Sequence, residues 1–252
     1  MNKRTIFNGL LLAGVLSFIP AVGFASVLVL GDDQSEDDVV PYLAGLGQGV
    51  TMPGSYYDWD PGANADLSNY DAVVLLYGYE YGYELTANGS AAIVAYLQGG
   101  GHFITHSWVA YSHEDFSGNA LFDMTPVEYD GEDYDAVWDV DESSAYFTGM
   151  TDGWADGEGF EHMTVTDPNA VSLGTNQYGE PLVVCTESNG GRYTYLNHGM
   201  SYETSDVSDD ALKLMGNSVM LFQGGDDAVP EPTTVLIWSM LVGLGITVRR
   251  RR

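Results

Sequence analysis

The chain has 252 residues, with 36 aspartates and glutamates against eight lysines and arginines, a formal net charge of −28. So acidic a surface repels nucleic acid, and also anionic polysaccharide unless cations screen it, which excludes a nucleic-acid partner. A single cysteine, Cys185, excludes an intrachain disulfide, so the fold must be held by packing alone.

At the N-terminus, Lys3 and Arg4 precede a mostly apolar stretch from Ile6 to Ile19. Pro20 breaks any helix, and Gly23-Phe24-Ala25 places small residues where a signal peptidase cuts. Residues 1–25 are therefore predicted to be a secretory signal peptide, with signal peptidase as the first partner. The apolar core is short for a membrane span of about 20 residues.

Residues 26–228 suit one domain with a sizeable core. This segment keeps only Arg192 and Lys213 against 35 acidic residues, a formal charge of −33. Salt or divalent cations should matter to such a surface, and adaptation to a saline exterior is the simplest reason for it. Val27 to Leu30 reads as a buried first strand ending in Gly31-Asp32-Asp33. Asp37 to Leu46 follows as a helix and Gly49 to Met52 as a weak second strand, then a loop rich in Gly, Asp and Pro from Pro53 to Ala65. Ala72 to Tyr77 is a strong buried strand. Thr86 caps a helix to about Gln98, which Gly99-Gly100-Gly101 ends. His102 to Thr105 is a fourth strand, broken at His106-Ser107-Trp108.

Glu114 to Asp167 has no sustained period and reads as a loop-rich acidic insertion with short strands, one around Ala136 to Val140. Ala170 to Leu173 and Pro181 to Thr186 follow as strands, the second holding Cys185 as a buried structural thiol. Asn189-Gly190-Gly191 is a hairpin turn into Arg192 to Leu196, and Asp209 to Phe222 is a closing amphipathic helix. The β-α-β-α-β order predicts an α/β fold, a doubly wound (flavodoxin-like) and mostly parallel sheet with helices on both faces.

The last segment, residues 229–252, reads Val229-Pro230-Glu231-Pro232-Thr233-Thr234, then an apolar run from Val235 to Val248, then Arg249, Arg250, Arg251 and Arg252. The prolines hold an extended linker, and the arginines keep their end of the apolar helix cytoplasmic. These three parts in order resemble the PEP-CTERM sorting signal, which implies an exosortase-type enzyme as partner and processing near Pro-Glu-Pro. The expected route is export, an inner-membrane intermediate anchored through the C-terminal helix, then the cell envelope, the cell surface or the exterior.

The strand from Val27 to Gly31, the strand at Tyr70 to Val74, Leu97 to Ile104 with its triple glycine, and Gly190-Gly191-Arg192 before Tyr195-Leu196-Asn197-His198 together resemble the class I glutamine amidotransferase-like fold, including its trehalose-utilisation-like relatives. That resemblance implies a cysteine at the turn after the fourth strand, where a thiol attacks the amide. Here the turn is Thr105-His106-Ser107-Trp108. The implied catalytic histidine corresponds to His198, but its acidic partner two positions on is Met200. The resemblance therefore implies a pocket, with a histidine at His106 near the turn as in the trehalose-utilisation type, rather than a glutaminase.

The crevice at the carboxyl ends of the parallel strands is the expected ligand site, collecting Asp32, Asp33, Tyr79, Glu80, His106, Ser107 and His198. Three readings stay open there. Asp32, Glu80, His106 and His198 can ligate a divalent metal. Ser107, His198 and Glu80 can form a hydrolytic set, although Ser107 lacks the glycines of a Gly-x-Ser-x-Gly elbow. In the third reading the polar groups simply satisfy one another. The carboxylates of Asp130 to Glu142 and Asp152 to Glu161 can supply the six to eight oxygens of calcium, but neither loop has EF-hand spacing, and a solvated acidic loop is the simpler reading. The cofactor is thus open between none and Ca2+ or another divalent cation. Tyr56, Tyr57, Trp59, Tyr79, Tyr81 and Tyr83 either stack on sugar rings of an extracellular polysaccharide or pack the loops that carry them. The combined expectation is an exported, envelope-sorted protein with a non-catalytic domain for matrix or cell-surface binding or structure. The alternative is an extracellular hydrolase or metal-dependent enzyme using the crevice.

Overall fold

A computed structural model describes residues 26–115, 118–188, 191–200 and 206–221. The predicted signal peptide, the sorting tail, the turn residues Asn189 and Gly190, and Phe222 lie outside the described residues. In chain order the elements are β1 (Ser26–Leu30), α1 (Glu36–Gly45), β2 (Gly49–Thr51), β3 (Ala72–Leu75), α2 (Ala87–Gln98), β4 (His102–His106) and α3 (Val109–Asp115). They continue with β5 (Val127–Asp133), β6 (Trp138–Asp139), β7 (Phe160–Val165), β8 (Val171–Asn176), β9 (Pro181–Ser188), β10 (Gly191–Leu196) and α4 (Asp209–Met220).

The main sheet has eight strands in the order β2-β1-β3-β4-β10-β9-β8-β6. From β2 to β10 the pairs are parallel, and from β10 to β6 antiparallel. The strand period of two divides the core between the two faces. Val27, Val29, Ala72, Val74 and Ile104 pack on one face with Val39 and Leu43 of α1 and Leu214, Met215 and Val219 of α4. Leu28, Leu30, Val73, Leu75 and Phe103 pack on the other with Ile93, Tyr96 and Leu97 of α2 and Val109 of α3. β3 and β4 are buried at every position and β1 at all but its first, as strands covered by helices on both faces are, so the doubly wound expectation holds. The expected cap at Thr86 is formed, and an unexpected second one forms at Ser208. The Thr86 hydroxyl accepts the Gly89 N–H at 3.1 Å to cap α2, and the Ser208 hydroxyl accepts the Ala211 N–H at 3.3 Å to cap α4.

The middle of the chain carries the expected short strands, one of them Trp138–Asp139, but it is built into the core rather than set apart from it. It contains the antiparallel ribbon β5–β7 and the short β6, which joins the main sheet through β8. Its aromatic residues do not decorate a peripheral loop: Trp138, Tyr146, Phe147, Trp154 and Phe160 belong to the same core as α4. In β5 the carboxylates Glu128, Asp130 and Glu132 alternate with Val127, Tyr129 and Gly131, so a period of two is present. The pairing with β7 shifts register between Tyr129 and Gly131, where Gly131 has φ of 142°, a conformation that L side chains rarely adopt.

Candidate functional site

The order β2-β1-β3 places the topological switch point between β1 and β3, because the connections leaving these two strands run to opposite faces. In open α/β sheets that gap is the usual ligand crevice, with backbone N–H groups aimed at an anion. Here two carboxylates of the chain itself hold those N–H groups. Asp32, fully buried, accepts on Oδ1 from the N–H of Ser35 at 2.7 Å and of Gln34 at 3.2 Å. On Oδ2 it accepts from the Ser35 hydroxyl at 2.8 Å, the Gly78 N–H at 3.1 Å and the Tyr79 N–H at 3.0 Å. Burial by itself would raise this carboxyl, but the neighbouring His106 ring and the donated hydrogen bonds hold it below the usual range. Glu36, the first residue of α1, accepts from the N–H groups of Asp32, Asp33 and Gln34 at 2.9 to 3.1 Å. Its own carboxyl is pushed up by burial and by the proximity of Asp32. An incoming phosphate would find these donors taken and two carboxylates in its way.

Gly78 lets the chain leaving β3 reach this point. A Cβ there would stand 2.5 Å from the Gly199 carbonyl oxygen and 2.9 Å from the His106 ring. His106, at the end of β4, has both ring nitrogens engaged. Nε2 accepts the Tyr77 N–H at 2.8 Å, so the proton sits on Nδ1, which donates to the His198 carbonyl at 3.1 Å. Complete burial drives its pKa down to about 4, against the opposing effect of Asp32, so the ring stays neutral. His198 is committed in the same way. Its Nδ1 accepts the Met200 N–H at 3.0 Å, and its Nε2 donates to Asp156, 3.1 Å from each carboxylate oxygen. Trp154 stacks on the His198 ring with centroids 4.6 Å apart. Asp156 also accepts from the Ser208 hydroxyl at 2.5 Å, and the histidine pairing and this bond hold its carboxyl far below the usual range against its burial. The missing acid at Met200 is therefore supplied from the inserted segment, which spacing along the chain could not reveal.

The hydrolytic set is not assembled. The Ser107 hydroxyl donates to Asn197 Oδ1 at 3.2 Å, while His198 is turned to Asp156 and Glu80 lies beside Asp33 and Asp32. A strand-to-helix elbow usually presents its nucleophile from a strained backbone position. After β4 that position is Trp108, with φ of 80°, and its indole is buried between Tyr81 and Tyr134 and against Gly159. A second fully buried carboxyl, Glu161 in β7, sets this elbow. It accepts the N–H groups of Trp108 at 3.0 Å and Tyr111 at 2.9 Å on Oε1, and the Tyr195 hydroxyl on Oε2. Burial pushes its pKa up to about 8.

The metal reading fares no better. Asp32, Glu80, His106 and His198 share the crevice, but all four histidine ring nitrogens are engaged in hydrogen bonds. Among the described residues no group of three or more His, Cys, Asp or Glu side chains is arranged to hold a metal ion. Nor is the segment Asp152 to Glu161 a solvated loop throughout, since Asp156 and Glu161 are interior struts. Cys185 is buried as expected, 2.9 Å from the Tyr146 hydroxyl, and burial raises its thiol. No helix among the described residues is long and apolar enough to cross a membrane; the run Val235 to Val248 lies outside them.

No protein-family model matches the chain, and no curated protein does. Solved structures do. A cytoplasmic protein of Salmonella typhimurium superposes with a TM-score of 0.60 at 14% identity, over 79% of this chain and 99% of the other. A ThuA-like protein of Bacteroides uniformis gives 0.60 at 13% identity, over 81% and 92%. A β-galactosidase of Bacillus circulans gives 0.53 at 12% identity, over 80% of this chain but 31% of the enzyme. At these identities the likeness establishes the amidotransferase-like fold and nothing finer.

Proposed function

We propose that this is an exported, envelope-sorted protein whose α/β domain is a non-catalytic binding or structural module of the cell surface or extracellular matrix. One observation carries the non-catalytic reading. The switch-point donors are taken by Asp32 and Glu36, and the crevice histidines spend both ring nitrogens on the chain itself. A group that must bind substrate or move a proton needs a free lone pair or donor in reach, and these have neither. The signal-peptide pattern of residues 1–25 and the Pro-Glu-Pro, apolar and arginine segments of residues 229–252 support the location. A polysaccharide ligand is supported by the tyrosines around the crevice mouth, of which Tyr79 and Tyr83 are exposed.

Two measurements test this reading. Deleting Val229 to Arg252 should release the protein into the medium; if the truncated chain stays cell-bound to the same extent, the tail is not the retention device. Full-length protein in detergent micelles should co-sediment with protein-free matrix polysaccharide, and failure to do so would remove the binding role.

The His198–Asp156 pair favours a second reading, an extracellular hydrolase, because an oriented histidine is one half of an acid–base device. Release of ammonia from glutamine above background, abolished by His198→Ala, would replace the first reading with this one.

A further inference from the structure

The rim of the crevice, unlike its floor, has unspent capacity. The loop after β3 is pinned from below: the Tyr56 hydroxyl donates to the carbonyls of Glu80 and Tyr83, and the Tyr77 hydroxyl to Tyr83 at 2.7 Å. Pinning fixes the Tyr83 ring over Tyr57, with centroids 4.9 Å apart at 32°, while leaving Tyr83 54% and Tyr79 46% exposed. The Tyr83 ring, held against Tyr57, loses little conformational freedom when a ligand lands on it.

Two carboxylates border the rings. Asp33 is exposed and is held by the Ser55 and Tyr57 hydroxyls. Partial burial, and after it the nearby charges of Asp33 and Asp32, raise the Glu80 carboxyl. Among the described residues the only basic side chains, Arg192 and Lys213, do not stand against these carboxylates. The domain's two basic residues are spent elsewhere, Arg192 on Glu187 at 2.6 Å and Lys213 on Asp210 at 2.9 Å.

From this we infer that the rim formed by Tyr57, Tyr79, Tyr83, Asp33 and Glu80 binds a cationic amino-sugar polysaccharide, and that the inference rests on the polysaccharide-binding role proposed above. A pyranose ring offers a face of C–H groups to a tyrosine. A free amine on that sugar places an ammonium against the electron-rich ring face and within reach of Asp33 or Glu80. Charge complementarity selects the cationic polymer over an anionic one, since the domain carries −33. A lysine-rich peptide would satisfy the charge but has no flat C–H face for the paired rings.

The test uses full-length protein in detergent micelles, titrated calorimetrically with β-1,4-linked glucosamine hexamer, with its fully N-acetylated counterpart and with hexalysine. Glucosamine hexamer should bind at least about tenfold more tightly than either of the others. Tyr83→Ala and Tyr79→Ala should each weaken it about two- to fivefold, as expected for an exposed cation–ring contact. Glu80→Gln should weaken it too and flatten its salt dependence. All three positions are at the surface, and an unchanged melting temperature confirms that each variant is folded. Equal binding of the N-acetylated hexamer would overturn the cationic ligand and leave the polysaccharide role standing. Equal binding of hexalysine, unaffected by Tyr83→Ala, would reduce the rim to bulk charge and overturn the inference. Co-sedimentation with matrix polysaccharide but no binding of glucosamine hexamer would also overturn it, without touching the proposed function.

Discussion

The change Asp32→Asn probes the switch point with the least steric disturbance. The amide is isosteric with the carboxylate but replaces one acceptor oxygen by an NH2 group. With that group in the Oδ2 position it meets the N–H of Gly78 and Tyr79, and in the Oδ1 position those of Ser35 and Gln34. Either way two backbone donors in a fully buried site face another donor. Hydrogen bonds to a charged acceptor contribute about 1.5–3 kcal/mol each, and an unsatisfied buried donor costs a similar amount. Discounting for relaxation, the expected loss is about 3–5 kcal/mol. For a domain of roughly 200 residues this lowers the melting temperature by about 10 °C. Urea unfolding followed by circular dichroism, with the slope m unchanged, measures the loss directly. A loss below about 1 kcal/mol would mean that the carboxylate is not the keystone of the crevice and that the site has room for another anion.

Two further outcomes follow from the charge distribution. Glu161 has its folded pKa raised from the ordinary carboxyl range to about 8, so its contribution to stability is fully present below about pH 4.5 and is lost as pH rises toward 8. Glu161→Gln, which mimics the protonated form, should remove this decline when the two proteins' stabilities are compared from pH 5 to 8; an identical slope in both would refute the assignment. Self-repulsion of the −33 domain predicts a melting temperature that rises with sodium chloride. Millimolar calcium should add nothing beyond matched ionic strength if no specific site exists, and a flat response to both salts would refute the screening argument.

The parallel half of the fold was legible because both-face burial leaves uninterrupted apolar runs, as in Val27 to Leu30 and Ala72 to Leu76, and because Thr86 and the glycines after Gln98 punctuate α2. The crevice was legible as a place, since the carboxyl ends of those strands carry Asp32, His106 and His198. What joins to what was not. Asp156, Glu161 and Asn197 complete the networks of His198, Trp108 and Ser107 across 42, 53 and 90 positions of sequence, which no local period encodes. Nor did the acidic composition of the inserted segment betray its buried aromatic side, because Trp138, Phe147 and Phe160 sit among carboxylates in short elements that set up no sustained period. In β5 the alternation persists, but Gly131 places no apolar side chain at its inner position.

The claim that the crevice is spent on its own structure is tested most directly at the His106 ring. Long-range 15N–1H correlation spectra of the full-length protein, with the His106 signal assigned by its loss in His106→Gln, report which nitrogen holds the proton. The expected spectrum shows a neutral ring protonated on Nδ1, with Nε2 accepting from Tyr77, unchanged from pH 8 down to pH 5.5 because its pKa is near 4. A ring that titrates near 6.5, or one whose proton resides on Nε2, would contradict it and return the crevice to the hydrolase reading.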